Sequence, residues 1–363
     1  MKTIDFNSFT VDNGAIRDLN ELLFTSIFND PDLERTCTMV TDLTNGQKFG
    51  MLDSMGDVGE SGGGCDPTYS KIKVTGIEKT WDLGKWRIPK SVCYEDLTNT
   101  LAKYGMHPGT EAGDITDTPY FDKVLEPLLQ KAITEMFWRL TWFGDKDAKN
   151  VSSSGIDTVG GGHITDTIDP KLLKPTDGFW KRLQAIIAEN AGQQTQIAAN
   201  NSASKALQKT DLRKSGVAIG IVDDMLTDAD SRIFDKPDHA IMMTNSLYKA
   251  LRNDVVDKYG KTTMPFEFVS SGIGLSEYDG HTVIVLDIWD RLIRKFEDNG
   301  TTLNCPHRAV LCSPSNLFVG TSDKDRMSSL DVEFDKRKRD NYIFAESDLG
   351  TVIGEDDLVQ VAI

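Results

Sequence analysis

The side chains best suited to chemistry sit in a few small groups. Cys305-Pro306-His307 followed by Cys312 offers three metal-ligand types, with His281 as a fourth only if folding delivers it. Structural zinc sites use paired ligands at recognisable spacings, which this run lacks. Two glycine-rich tracts, 59–65 (GESGGGC) and 160–163 (GGGH), invite a phosphate-binding reading. A phosphate loop needs a buried strand before it, a helix after it and usually a Lys-Ser/Thr pair, and neither tract has them. Ser270-Ser271-Gly272 and Ser153-Ser154-Gly155 lack the Gly-x-Ser-x-Gly context of a nucleophile elbow. His107, His163, His239, His281 and His307 are scattered. Asp223-Asp224 and Asp356-Asp357 are sequence neighbours whose carboxylates diverge, which fits solvated surface. Lys336-Arg337-Lys338-Arg339 is the one dense basic run, either a solvated turn or an ion-pair contact with an acidic neighbour. No catalytic, cofactor-binding or metal-binding residue emerges. The expectation is a protein that is not an enzyme.

The elements that hold these residues are more informative. Residues 119–142 (PYFDKVLEPLLQKAITEMFWRLTW) space Phe121, Val124, Leu125, Leu128, Leu129, Ala132, Ile133, Met136, Phe137 and Leu140 by threes and fours. That spacing predicts one apolar stripe on a long helix, with Glu126, Gln130, Lys131, Thr134 and Glu135 facing elsewhere. Thr118 suits its N-cap, Pro119 its first position and Gly144 its end. At 1.5 Å per residue this spine spans roughly 36 Å. Pro127, inside it, should bend it. The apolar stripe is expected to pack on the C-terminal strands.

Residues 1–64 carry one amphipathic helix at 15–28 and a polar, glycine-rich tract, too little apolar surface to fold alone. They read as a disordered tail or as an arm that needs something to lie on. In 69–94, Ile72, Val74, Trp86 and Ile88 alternate with Lys71, Lys73, Lys85 and Arg87, which is strand periodicity. A hairpin with its turn near Asp82–Gly84 is expected, projecting from the body. A short helix at 95–104 and a polar connection precede the spine. Helices are expected at 177–190 and 216–233, and a strand at 239–244 runs into a helix that Gly260 stops. Strands then dominate, at 266–269, 273–275, 282–287, 308–313, 317–319, 330–334, 341–345 and 351–353. The class is α+β.

Acids outnumber bases, 56 to 40, for a formal charge of −16, so the average surface repels nucleic acid. No apolar run approaches the length of a membrane span, and the first residues lack the apolar core of a signal peptide. Five scattered cysteines (Cys37, Cys65, Cys93, Cys305, Cys312) fit reduced thiols in a cytosolic setting.

The order of parts resembles the Hong Kong 97-type major capsid proteins of tailed bacteriophages. The residues that carry the resemblance are WRIPKSVCYEDL after the hairpin, FWRLTWFGD at the spine's end and DGFWKRLQAIIAE opening the middle. HAIMMTNSLYKALRND and HRAVLCSPSNLFVG add to it. Most of the chain is covered, by motifs that are structural. The resemblance implies an N-terminal arm (1–64), an extended hairpin or E loop (65–94), a peripheral P domain (95–145 and 321–363) and an axial A domain (146–320). It implies a structural subunit that self-assembles into pentamers and hexamers of an icosahedral shell around double-stranded DNA, without sequence-specific binding. Its implied partners are copies of itself, a separate scaffolding protein, a portal and head-decoration proteins, with no membrane. The implied location is the virion, after assembly in a bacterial cytoplasm. Some members cross-link a Lys to a neighbour's Asn. Lys79 or Lys85 with Asn341 invites that idea, but no motif supports it. An encapsulin-like shell and an α+β hydrolase with converging titratable groups are the alternatives.

Overall fold

In the computed structural model the described residues are 31–52, 76–93, 125–151, 155–158, 162–163, 168–260, 264–270, 272–322, 330–335, 337–338 and 340–363. The expected helices at 15–28 and 95–104, the tract 59–65 and the caps Thr118 and Pro119 lie outside them.

One turn, α1 (Pro31–Glu34), leads into β1 (Thr38–Val40) and β2 (Lys48–Leu52). Strands β3 (Gly76–Thr80) and β4 (Gly84–Cys93) follow, then the spine helix α2 (Glu126–Phe143). A small ribbon of β5 (Lys149–Val151), β6 (Gly155–Thr158) and β7 (Gly162–His163) precedes α3 (Phe179–Glu189) and β8 (Gln194–Thr195). Ser204 caps α4 (Lys205–Leu212) by accepting from the Leu207 N–H, and α5 (Val217–Asp228) comes next. Strand β9 (Ala240–Thr244) runs directly into α6 (Asn245–Tyr259), which Gly260 stops at φ 74°. Then come β10 (Phe266–Ser270), β11 (Ile273–Tyr278), β12 (His281–Leu286) and α7 (Asp287–Phe296). Strands β13 (Ala309–Cys312), β14 (Leu317–Gly320), β15 (Leu330–Asp335), β16 (Asp340–Ile353) and β17 (Val359–Ala362) close the chain. The α+β expectation holds.

Seven strands form one mixed sheet in the order β10-β11-β12-β9-β13-β17-β8. Central β9 is buried at every residue, which is why AIMMT shows an apolar run and no alternation. Ala240 and Met242 enter one core with α2, α3 and α7, while Ile241 and Met243 enter a second with α5 and α6. Helices therefore cover both faces of this sheet.

A second sheet has the order β1-β14-β16-β15, with β4 also on β16. The antiparallel β4–β16 ladder runs from Gly84↔Leu349 to Cys93↔Asp340. The spine shares a core with β16 through Ile133, Phe137, Leu140, Ile343, Ala345 and Leu349, as expected. Trp86 of β4 meets Phe137 edge-on at 5.6 Å.

Four expectations change. β3 pairs with β2 and not with β4, so the hairpin is β2–β3, and Trp81–Leu83 link two sheets instead of forming a turn. A small core of Leu43, Trp81, Leu83 and Val352 pins that link. Pro127 falls in the first turn of α2, where a missing N–H costs nothing, so no bend is required of it. The apolar stripe narrows at its start, where Leu128 is 60% exposed, and widens to full burial from Met136 to Phe143 except at Arg139. The last two turns are enclosed by α3, α7 and β16 together. Finally, β14 lies in the β16 sheet and β17 in the seven-stranded sheet, across the boundaries drawn at 320 and 321. Both β17 faces are buried, and only a sheet with helices on each side accepts such a strand.

Candidate functional site

The spine's C-terminal end is the joint between the two sheets. The Gly178 N–H donates to the Gly144 carbonyl at 2.8 Å. A Cβ on Gly144 would stand 2.4 Å from the Thr176 oxygen, so the backbones approach too closely for any side chain. Lys181 on α3 spans this joint to Asp145 at 2.5 Å, Asp147 at 2.7 Å and Asp177 at 2.8 Å. Burial acts to lower the Lys181 ammonium, but the hydrogen bonds to its three carboxylates outweigh it and raise the pKa. Behind it Trp142, Phe179, Trp180 and Trp289 pack edge to face, with Trp142 and Trp289 centroids 4.5 Å apart.

Arg308, 1% exposed, closes the same joint. Its guanidinium pairs with Glu297 and donates to the Cys305 carbonyl at 2.7 Å and the Asn304 carbonyl at 2.9 Å. It lies over the rings of Phe143 and Trp180 at 5.5 and 5.2 Å. Burial pushes the Glu297 carboxyl up, and Arg308 pulls it back. Lys146, next to Asp145 in the same joint, reaches Asp82 at 2.5 Å, and Lys79 on β3 pairs with Asp356.

The residues singled out for chemistry go to separate places. Cys312 is buried in β13 and Cys305 lies beside Arg308, while the His307 ring turns to Ser246. His281 pairs with His239 at 3.0 Å, and no group of three metal-ligand side chains forms among the described residues. Cys37, Cys305 and Cys312 are free thiols. Asp223 accepts from the Tyr278 hydroxyl at 2.8 Å, and Asp356 and Asp357 face Lys79 and Arg232. Arg337 and Lys338 are exposed in a turn whose N–H groups Asp335 accepts. Asn341, the cross-link candidate, is fully buried opposite Val92 of β4.

One cluster was not visible in the sequence. Ser246 at the start of α6 lies 2.9 Å from the His307 Nδ1, and Nε2 donates to the Gln208 carbonyl at 3.2 Å. Burial lowers the His307 pKa to about 4, so the ring is neutral. Asp290 of α7 accepts from the Asn245 and Ser246 N–H groups at 2.7 and 3.2 Å. Burial raises its carboxyl to about 6. The pair of Ser246 and His307 looks like half a nucleophilic triad. Asp290, however, caps the helix instead of orienting the imidazole, and it occupies the two N–H groups an oxyanion would need.

The chain is similar to phage capsid chains. One is in the satellite phage P4 procapsid that includes the size determination protein, with 10% identity, TM-score 0.46, and coverage of 97% of this chain and 98% of that one. Another is in the capsid of a native GTA particle, with 9% identity, TM-score 0.46, and coverage of 100% and 94%. A structure from Mycobacterium phage Ogopogo gives 14% identity, TM-score 0.49, and coverage of 91% and 90%. No family model and no curated protein matches the chain. Among the described residues no helix is long and apolar enough to cross a membrane.

Proposed function

We propose that the chain is a major capsid protein of the Hong Kong 97 type, a structural subunit that forms pentamers and hexamers of an icosahedral shell enclosing double-stranded DNA. The observation that carries this reading is the framework itself. A spine helix lies against a long strand, β16, which ladders with β4, beside a separate sheet with helices on both faces. In this reading the β2–β3 pair is the base of the E loop, α2 with the β16 sheet is the P domain, and the seven-stranded sheet is the A domain. The joint at Lys181 and Arg308 then holds P and A in one fixed relation.

The acidic composition supports the same reading, because a shell wall that repels nucleic acid does not adhere to its contents. The protein acts as a building block and not as an enzyme, with a separate scaffolding protein, a portal and head-decoration proteins as its further partners and the virion as its location. Electron microscopy of the expressed full chain, alone and with a candidate scaffolding protein, tests the proposal. Rings or closed icosahedral shells are expected. A chain that stays a compact monomer under every condition overturns it.

A further inference from the structure

Three helices converge on a cleft of about 350 Å³ above His307. Its floor is polar and buried, formed by Gln208, Asp290 and His307. Its rim is cationic: Lys209 and Arg213 from α4 and its C-cap, Lys249 from α6 and Arg294 from α7. All four are exposed, and among the described residues none has a carboxylate within salt-bridge reach. The fifth cation, Lys205, is already paired with Asp298 at 2.6 Å. Lys209 and Arg213 are four residues apart, so they sit side by side on one helix face. Four unpaired cations around one concavity are out of keeping with a chain whose formal charge is −16.

Two carboxylates also line the cleft, and both are engaged. Asp290 is turned to the first N–H groups of α6, and Asp287 accepts from the Asn245 amide at 2.8 Å. The helix end is therefore capped from within, and the cations are left to whatever enters. Arg213 and Arg294 present planar forks that match phosphoryl oxygens two at a time, while Lys209 and Lys249 add point charges. The volume suits a small molecule. The acidic surface repels an extended polyanion before it arrives, whereas a compact one enters the cleft and meets little else.

We propose that this cleft binds a compact polyanion carrying at least two phosphoryl groups, an oligophosphate or a small phosphorylated molecule. The site is independent of shell assembly and would act on the isolated subunit. Isothermal titration of the full chain with sodium tripolyphosphate at low salt tests it, with orthophosphate and a short DNA duplex as parallel arms. One tripolyphosphate per chain is expected, bound more tightly than orthophosphate. Lys249→Gln with Arg294→Gln should weaken it by at least about tenfold, with Lys258→Gln, distant on α6, unchanged. Arg294→Lys keeps the charge and loses the fork, so it should weaken tripolyphosphate more than orthophosphate; it serves if the double variant fails to fold. Absence of saturable binding, equal weakening by Lys258→Gln, or a duplex that binds as tightly per phosphate overturns the proposal.

Discussion

Arg308 stands in a strand-rich segment, HRAVLC, where nothing in the sequence marks it as different from a surface arginine. The structure buries it with Glu297. Removing one member of such a pair leaves the other buried and unpaired, so Arg308→Met should cost about 3–5 kcal/mol in urea unfolding. Arg308→Met combined with Glu297→Leu should recover much of that loss. Nearby, His307 and Asp290 make opposite demands on pH. The folded His307 value of about 4 lies below the ordinary 6.5, so its contribution is complete above pH 6.5 and is lost as pH falls toward 4. The folded Asp290 value of about 6 lies above 3.8, so its ionisation costs stability above pH 6 and that cost disappears as pH falls toward 3.8. Asp290→Asn should therefore be more stable than the parent at pH 7, by on the order of 2–3 kcal/mol, with the difference falling to about 1 kcal/mol at pH 4.5. Urea titrations at the two pH values read this directly. A constant difference would mean that Asp290 does not take up its proton in this range.

At the scale of elements, the spine makes the sharpest demands. Leu140 is buried among α3, α7 and β16, so Leu140→Ala should cost about 2–5 kcal/mol. Pro127 in the first turn removes no helical hydrogen bond, so Pro127→Ala should change stability by less than about 0.5 kcal/mol. A gain near 3 kcal/mol would instead place that proline in a helix interior. These two residues also show what the sequence could and could not convey. Strand β9 and helix α6 were readable because a buried apolar run, a helical period and a terminal glycine are all local signals. The partner of β4 was not, because β16 lies some 250 residues away and the alternation of Trp86 and Ile88 fits any apolar face. A turn was inferred near Asp82–Gly84 for the same reason: local polarity says where a strand stops, not what it pairs with. The cluster of Ser246, His307 and Asp290 draws on three distant segments and has no local signature at all.

At the scale of the whole molecule, charge governs how copies meet. With 56 acids against 40 bases, like-charged copies repel at low ionic strength and the repulsion is screened within about a nanometre at physiological salt. Sedimentation velocity of the full chain should therefore show association rising as salt is increased from about 0.05 M to 0.5 M. Association that falls over that range would mean that ion pairs, not apolar contacts, dominate the interface. The fourteen-residue β16 bears on how the chain carries load. Its first half alternates buried and half-exposed residues against β4, and its last four residues are wholly buried against β14. One strand thus runs from an outlying ladder into the packed interior without a break. A pull along β4 is opposed by ten paired positions loaded in shear, roughly 30 Å of ladder at the usual strand rise. Hydrogen bonds arranged this way share a load at once instead of opening one by one. Tension applied along β4 is delivered to the chain's tryptophan-lined centre, so β16 works as a tendon.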